Sequence, residues 1–334
     1  MTDDDWMIDD NPPEHDEQGW HTTGWLSREQ LPPLQWAVEG IVPEGFCILA
    51  GSPKVGKSWL VLSLCMAAAS GGRALGAIPV KQRPTLLLAL EDGHRRMQAR
   101  ITQLLAPGEP WPDFTYLNRL PIDSNAGTEI RKWLLQQDRP KDALVVVDTL
   151  QKARPPTRPG RPVYETDYAF ASAVKAIADE HPGMSLLGIH HTRKGQDTDF
   201  LEQVSGSNGL TGGADTIAIL ARERGEDCAQ LHVTGRDVDE QSYLMQRDPA
   251  GGWILDGGSL TAAVDAHEAY RMAGNLEDGS DSRTVLEWVL AHAGDHAPAD
   301  VALATGIERA GTYLSRHRAQ GRLARTQRGR YQRP

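Results

Sequence analysis

The stretch GSPKVGKS, residues 51–58, decides how the chain around it folds. Its spacing fits the P-loop pattern, in which glycines allow backbone N–H groups to turn inward around nucleotide phosphates. The apolar run GFCILA precedes it and the helix-like run WLVLSLCMAA follows it, which is the strand-loop-helix context that this motif requires. We predict that the loop binds ATP through Gly51, Ser52, Pro53, Lys54, Val55, Gly56, Lys57 and Ser58.

Two side chains of the loop have expected roles in binding a triphosphate. Lys57 places an ammonium charge near the β- and γ-phosphates, and Ser58 is a ligand for Mg²⁺. The helix that begins near Lys57 presents its positive end to the anion. A simple glycine-containing turn is the alternative, and the flanking strand and helix argue against it.

Length and composition set the general class of the protein. The chain has 334 residues, of which 40% are hydrophobic, enough for one large domain and a smaller one. Its three cysteines lie in apolar runs without metal-ligand spacing, which indicates buried thiols in a reducing compartment. The amino terminus is acidic, and the longest apolar stretch is too short to cross a membrane. We therefore expect a cytoplasmic protein with no membrane partner.

Apolar strand-like runs alternate with helix-like segments from FCILA to SLLGIH. This alternation predicts an α/β fold with a mostly parallel central sheet and helices on both faces. After His191 the runs DTIAILAR, AQLHVTGR, SYLMQR and GWILD follow without helices between them, so we predict an antiparallel extension of the sheet. The predicted divisions are a disordered acidic arm over 1–22, the α/β domain over 23–256, a linker over 257–281 with room for one helix, and a small basic domain over 282–334.

The carboxyl-terminal segment is strongly basic, although the net charge of the chain is −10. Its helix-like stretches followed by RLARTQRGRYQ resemble a winged helix-turn-helix, with Arg328 and Gly329 at the turn of the wing. From Arg309 onward it contains no Asp or Glu, which favours contact with nucleic acid. A solvated tail or a protein-docking wing is the alternative. The candidate DNA contacts in this segment are Arg316, Arg318 and Arg328.

Two strand ends supply carboxylates near the predicted loop. Asp148 ends the run ALVVVD, where a Walker B aspartate beside the P-loop strand binds Mg²⁺ through water, and an ordinary strand-end aspartate is the alternative. The run LLLALED ends in Glu91 and Asp92. Hydrolysis needs a carboxylate to orient or deprotonate the attacking water. We assign that role to Glu91, because Asp92 competes as the N-cap of the following helix.

The order of these motifs resembles the RecA-like ATPases of the plasmid replicative helicase RepA group, which are relatives of DnaB. The resemblance covers about Trp25 to Leu255 and continues through HHTRKG, SGSNGLTGGADTIAIL and GRD. It implies a RecA-like domain over 23–256 in which His190 or His191 senses the γ-phosphate. Without this resemblance, two adjacent histidines in a core strand would be assigned a structural role.

The same resemblance implies that Arg236 reaches the nucleotide bound by a neighbouring subunit of a homo-oligomer, with a hexameric ring as the expected assembly. A planar, permanently charged guanidinium is suited to stabilising charge on a transferring phosphoryl group. The lysine that the family usually has two residues earlier is replaced here by Thr234.

Two basic loops leave the predicted ligand-binding edge of the sheet. KARPPTRPGRPV follows Asp148, and TRKGQDTDFLEQVSGSNGLTGG follows His191. The resemblance implies that such loops line a central channel and grip single-stranded DNA, and cationic loops near a nucleotide are able to follow a phosphate backbone. Solvated surface loops are the alternative. The candidate contacts are Arg154, Arg158, Arg161, Arg193 and Lys194.

The sequence therefore predicts a ring-forming motor that uses ATP and Mg²⁺ and acts on single-stranded DNA. The expected role is a replicative helicase of a plasmid, phage or other mobile element, with replication proteins as further partners. One alternative is a RecA-like recombination or helicase-loading ATPase without processive unwinding. The other is a nucleotide-switched DNA-binding regulator whose functional end is the carboxyl-terminal domain.

Overall fold

The computed structural model describes residues 21–155, 163–192, 210, 212–222, 228–274, 280–319, 322–326 and 330–333. The acidic arm predicted over 1–22 falls almost wholly outside these ranges. The helices are α1 (Thr23–Leu26), α2 (Lys57–Ser70), α3 (His94–Leu104), α4 (Ala126–Leu134), α5 (Leu150–Ala153), α6 (Val163–Asp179), α7 (Leu260–Gly274), α8 (Ser280–Ala291), α9 (Pro298–Thr305) and α10 (Ala310–Ala319). The strands are β1 (Trp36–Val38), β2 (Val42–Pro43), β3 (Gly45–Gly51), β4 (Arg73–Ala74), β5 (Ile78–Pro79), β6 (Thr85–Ala89), β7 (Thr115–Leu117), β8 (Leu144–Asp148), β9 (Ser185–His191), β10 (Thr216–Ala221), β11 (Cys228–Gly235), β12 (Gln241–Arg247), β13 (Trp253–Leu255), β14 (Ala324–Arg325) and β15 (Tyr331–Gln332).

Nine strands in the described ranges form the central sheet, in the order β13-β12-β11-β10-β3-β9-β8-β6-β7. The pairs from β10 to β7 are parallel, and β11, β12 and β13 extend the sheet in antiparallel fashion. The prediction of a mostly parallel α/β sheet is confirmed. The segments that follow β3, β6, β8 and β9 all leave the sheet at the carboxyl ends of its parallel strands. We call this end of the sheet the carboxyl edge.

Helices cover both faces of the sheet and bury its apolar side chains. On one face, α2, α3 and α7 contribute Leu60, Met97 and Ala263 to the hydrophobic core. On the other face, α4 and α6 contribute Ile130 and Val174. Successive residues of β3 point alternately into these two cores, as expected of a strand that is buried from both sides. The continuous apolar runs in the sequence follow from this double burial.

One strand departs from the predicted topology. The sequence predicts that DTIAILAR begins the antiparallel extension, but β10 pairs in parallel with β3. β9 and β10 lie on either side of β3, and the connection between them exceeds the dozen or so residues that a crossover between parallel strands needs, so the chain can return to the opposite edge before β10 begins. Asp215 anchors this entry, because its N–H donates to Phe46 O at 2.8 Å and its Oδ2 accepts from Phe46 N at 3.0 Å. The antiparallel part therefore begins at β11.

The segment predicted as a linker, 257–281, contains α7, which packs on the sheet. Helix α7 lies against β12, and Ala263 is fully buried. His267 Nε2 lies 3.0 Å from Gln230 Oε1 of β11. The sequence left room for one helix between the Gly-, Asp- and Ser-rich ends of this segment, and α7 is that helix. These contacts join α7 to the α/β unit.

The carboxyl-terminal residues build a hydrophobic cluster of their own. Helices α8, α9 and α10 pack around Val285, Val301 and Leu314. Strand β14 pairs antiparallel with β15, and Tyr331 of β15 joins this cluster. Three helices and a strand pair are elements that a winged helix-turn-helix requires. The turn that holds Arg328 lies outside the described residues, and the winged-helix assignment stays a prediction.

Two general expectations concern thiols and membrane spans. Cys47 and Cys65 are buried, whereas Cys228 is half-buried at the start of β11, and none of the three forms a disulfide within the described residues. In the part of the chain that the structure covers, no helix combines the length and apolar character needed to cross a membrane.

Candidate nucleotide-binding site

The predicted P-loop forms the connection between β3 and α2 at the carboxyl edge. Gly51 ends the strand, Lys57 begins the helix, and the residues from Ser52 to Gly56 form the turn between them. Lys54 and Gly56 adopt left-handed conformations, with φ angles of 67° and 113°. This path directs the first N–H groups of α2 toward the space above the sheet, where a helix terminus favours an anion. The structure thus brings all the predicted phosphate-binding residues together.

The ammonium group of Lys57 is held at the mouth of this loop. Its Nζ donates to Gly51 O at 2.6 Å and to Ser52 O at 3.0 Å, and it lies 3.1 Å from His191 Nδ1. Burial lowers the pKa of Lys57 to about 8, although the carboxylates of Asp148 and Glu91 oppose this shift. Lys57 is therefore mostly charged at neutral pH and points its charge at the loop.

Ser58 and Asp148 fit a magnesium ion. Asp148 is 5% exposed and accepts a hydrogen bond from the Ser58 hydroxyl, yet its Oδ1 has no hydrogen-bond partner among the described residues. Burial raises the pKa of Asp148 to about 6, which leaves the carboxylate largely ionised at neutral pH. A buried carboxylate oxygen that needs a partner, next to a hydroxyl, is suited to a hard cation that also contacts phosphate. No cluster of three or more acidic, His or Cys ligands occurs in the described ranges.

The two neighbouring carboxylates after β6 have different environments. Asp92 is buried and pairs with Arg96 at 2.9 Å and with Arg100. Glu91 is 40% exposed, and its Oε1 accepts from the Thr149 hydroxyl at 3.3 Å. The predicted N-cap role of Asp92 is wrong, because Gly93 occupies the N-cap of α3 and Asp92 instead pairs with arginines farther along that helix. Glu91 is thus the carboxylate left accessible at the carboxyl edge.

The two histidines at the end of β9 are distinguished by their contacts. His191 lies between Lys57 and Glu91, with its Nε2 4.0 Å from Glu91 Oε2. Burial and the charge of Lys57 lower its pKa, and Glu91 opposes them. Burial is also the main cause of the lowered pKa of His190, and Asp167 of α6 opposes it. Of the two candidates, His191 is the one that contacts the P-loop lysine.

Arg236 lies at the edge of the sheet opposite to the P-loop. It follows β11, and its backbone N–H donates to Asp215 O at 2.9 Å, beside the start of β10. Its side chain is 62% exposed and lies 4.0 Å from Asp215 Oδ1. The seven residues of β3 separate this edge from Gly51, a distance of about 20 Å along an extended strand. Arg236 therefore cannot reach the P-loop of its own chain.

The predicted DNA contacts are only partly within the described ranges. Arg154 pairs with the buried carboxylate of Asp167 in α6, so its guanidinium has a structural partner and is not a free DNA ligand. Arg318 is exposed on α10, where Arg316 also lies. The other predicted contacts lie outside the described residues: Arg158, Arg161, Arg193, Lys194 and Arg328.

One supporting contact of the P-loop was not predicted from the sequence. Trp253 of β13 is 2% exposed, and its indole N–H donates to Gly56 O at 3.3 Å. A Cβ atom at position 56 would lie 2.6 Å from Trp253 Nε1, so the close approach requires glycine in addition to the left-handed backbone. The guanidinium of Arg247 covers the Trp253 ring at 5.1 Å. The antiparallel extension thus packs directly against the phosphate loop, and no local sequence signal reveals this contact.

The fold and the site define a RecA-like P-loop ATPase domain. The chain belongs to the AAA domain family (AAA_25), whose family model matches residues 12–197, more than half of its length. A comparison with curated proteins gives no match.

Solved structures share the fold at low sequence identity. The ATPase domain of G40P is 14% identical with a TM-score of 0.50, over 63% of this chain and 84% of that one. A DnaB-like replicative helicase, solved to show its interactions with primase, is 15% identical with a TM-score of 0.50, over 63% of this chain and 57% of that one. The RadB recombinase is 16% identical with a TM-score of 0.43, over 64% of this chain and 91% of that one. The first two similarities show the fold.

Proposed function

We propose that this protein hydrolyses ATP as a ring of identical subunits that moves on single-stranded DNA, as a replicative helicase of a plasmid, phage or other mobile element does. The observation that carries the proposal is the separation of the expected hydrolytic groups between two edges of the sheet. Lys57, Asp148 and Glu91 gather at the carboxyl edge. Arg236 lies at the opposite edge, about 20 Å away by the length of β3.

The groups at the carboxyl edge divide the work of hydrolysis between them. Lys57 binds the phosphates of the substrate, and Ser58 and Asp148 hold Mg²⁺, which supplies positive charge to the phosphate oxygens when bound. Glu91 accepts the proton of the attacking water, since it is an accessible carboxylate beside the P-loop. The Thr149 hydroxyl orients Glu91, and His191 bridges Glu91 and Lys57 as the γ-phosphate sensor.

The position of Arg236 supports a ring. An arginine that stabilises charge on a transferred phosphoryl group must touch that group, and Arg236 is too far from its own P-loop to do so. In an assembly with head-to-tail contacts, the edge that carries Arg236 faces the carboxyl edge of the next subunit. Each active site is then completed by a neighbour, so that hydrolysis depends on assembly.

The DNA part of the proposal rests on the sequence motifs and on similarity. The RepA-like order of motifs, the two basic segments after Asp148 and His191, and the fold shared with a DnaB-like replicative helicase all favour a motor on single-stranded DNA. The carboxyl-terminal unit, with the exposed Arg318, adds a second candidate nucleic-acid contact as a winged helix-turn-helix.

The experiment that tests this proposal measures ATP turnover and particle mass under the same conditions, with and without single-stranded DNA. We expect DNA to accelerate turnover and ATP to increase the mass to that of a ring. A forked-duplex displacement assay then separates a helicase from a recombination or helicase-loading ATPase. Turnover that does not respond to DNA would favour the nucleotide-switched regulator.

The shared active site has its own test in mixed assemblies. Arg236→Ala should leave nucleotide binding nearly intact and reduce turnover by ~10³ or more, as removal of an arginine finger does. Mixing this variant with Glu91→Gln should restore some activity, because an intact Glu91 of one subunit can meet an intact Arg236 of another. Lys81→Ala removes another exposed cation that precedes β6, at the same edge as Arg236, and is the matched control. Full turnover by a monomeric Arg236→Ala protein would refute the shared site.

A further inference from the structure

Arg236 contacts Asp215 through both its main chain and its side chain. The backbone N–H of Arg236 donates to Asp215 O at 2.9 Å, where the end of β11 meets the start of β10. The guanidinium of Arg236 lies 4.0 Å from Asp215 Oδ1. Asp215 therefore fixes where the arginine leaves the sheet and attracts its charged end.

The carboxylate of Asp215 is itself fixed against β3. Its side chain is 16% exposed, and its Oδ2 accepts a hydrogen bond from Phe46 N at 3.0 Å. Gly45 precedes that N–H and has a φ angle of 89°. A Cβ atom at position 45 would lie 2.9 Å from Asp215 Oδ2, so the close approach of the carboxylate requires glycine there. The carboxylate is thus a rigid reference point for the groups around it.

Lys175 of α6 balances the charge of this carboxylate. Its Nζ donates to Asp215 Oδ1 at 2.7 Å and to Asp215 Oδ2 at 2.8 Å, and also to Asp179 Oδ1 at 3.0 Å. The Arg236 guanidinium, at 4.0 Å, is beyond hydrogen-bond distance of the same carboxylate. Asp215 therefore attracts the guanidinium without occupying its N–H donors.

We propose that Asp215 and Lys175 are positioning residues for Arg236, an inference that rests on the proposed function and adds two residues to the shared active site. An arginine that acts on the nucleotide of a neighbour must point outward in a defined direction and keep its donors for phosphate oxygens. The attraction of Asp215 supplies the direction. The ammonium of Lys175 keeps the donors available, because it already satisfies the carboxylate.

Loss of either residue misplaces the arginine, for opposite reasons. Without the carboxylate of Asp215, the like charges of Lys175 and Arg236 repel each other, and the guanidinium loses its orientation. Without Lys175, the carboxylate has no ammonium partner on α6 and draws the guanidinium into a direct pair, which competes with the phosphate of the neighbour. Both changes act on catalysis only through Arg236.

The test is a double-mutant cycle on ATP turnover by the full-length protein under assembly conditions. Asp215→Asn keeps the shape of the side chain and an oxygen acceptor for Phe46 N, but it removes the charge. It should reduce turnover by about ten- to a hundredfold, as a small misplacement of a catalytic group does, with unchanged binding of a nonhydrolysable ATP analogue. In Arg236→Ala the same substitution should have no further effect, because residues that act through one group are not additive.

Lys175→Met is the second variant, since it leaves the contact between Asp215 and β3 in place. It should also reduce turnover in the wild-type background and have no further effect in Arg236→Ala. Single-turnover conditions make the low rate of the Arg236→Ala background measurable. Asp179→Asn is the matched control, because it removes the other carboxylate that pairs with Lys175, 56% exposed, and should keep wild-type turnover.

The outcomes separate this inference from the proposed function. A wild-type protein that does not hydrolyse ATP, or an Arg236→Ala variant with wild-type turnover, would overturn the proposed function. If Arg236→Ala is slow, wild-type turnover in Asp215→Asn or in Lys175→Met would overturn the positioning role of that residue alone. Weaker binding of the ATP analogue, or a further decrease of turnover in the Arg236→Ala background, would assign the contacts to support of the fold instead.

Discussion

Nucleotide affinity should fall as the pH rises through about 8, because the P-loop lysine loses its proton there. Burial lowers the pKa of Lys57 from an ordinary 10.5 to about 8. The charged form binds the phosphates, and the neutral form does not. Affinity is therefore highest below pH 8 and decreases above it. A lysine with an ordinary pKa would keep its charge until the pH was about 2.5 units higher.

The size of the effect follows from the fraction of Lys57 that is protonated. One unit above the pKa about one molecule in eleven keeps the proton, so the apparent affinity falls about tenfold, or ~1.4 kcal/mol. The other groups of the site titrate lower, because the pKa of Asp148 is about 6 and that of His191 is lowered from 6.5. Among these residues, only Lys57 therefore changes its charge above neutral pH, and the change of nucleotide affinity in this range reports its titration.

The assay is an equilibrium titration with a nonhydrolysable ATP analogue at several pH values from about 7 to 9.5. In Glu91→Gln the decrease should begin at lower pH, because the Glu91 carboxylate helps Lys57 to keep its proton. Lys57→Ala should bind weakly, with an affinity that changes little over this range. A flat profile in the wild-type protein, or an equal decrease in Lys57→Ala, would refute the argument.

Three further predictions concern the base, the support of the P-loop and acid stability. Glu91→Gln should bind ATP and fail to hydrolyse it. Asp92→Asn should keep turnover and lower the Tm, because Asp92 forms ion pairs with Arg96 and Arg100 of α3. Single-turnover hydrolysis that stops only in Asp92→Asn would reverse the assignment. Trp253→Phe removes the indole donor to Gly56 O and should cost about 1 kcal/mol of stability by chemical denaturation, with weaker ATP binding. Unchanged ATP affinity in this variant would show that the indole does not position the loop. Burial lowers the pKa of His232 to about 4, so the folded state excludes a proton that the unfolded chain takes up below about 6.5. Stability should fall by about 2 kcal/mol as the pH drops from 6.5 to 4, and His232→Gln should lack that part of the decrease in urea titrations.

The short-range features of the chain were predictable from the sequence. The P-loop spacing and the runs around it predict the strand, the turn and the helix, and the structure has them as β3, the loop and α2. The carboxylates Glu91 and Asp148 are predictable because each one ends or follows a continuous apolar run. These signals are local, since periodicity and spacing depend on residues close together in the chain.

Contacts between distant segments were not predictable in this way. The sequence leaves His190 and His191 equivalent, and the contact of His191 with Lys57 of α2 distinguishes them. It offers Arg154 as a DNA ligand, but the buried Asp167 requires a counterion and takes it. Trp253 gives no local sign of its contact with Gly56, which is formed by strand pairing far along the chain.

The sequence by itself determined the class of the fold, the position of the phosphate loop and the residue types available to it. Only the tertiary structure decided which of those residues meet. The parallel pairing of β10 with β3 places Arg236 at the edge away from the P-loop of its own chain, a separation that no pattern of residues along the chain specifies. The physical reason is that patterns along a chain specify which surfaces are apolar, whereas the order and direction of strands depend on how all those surfaces are buried together.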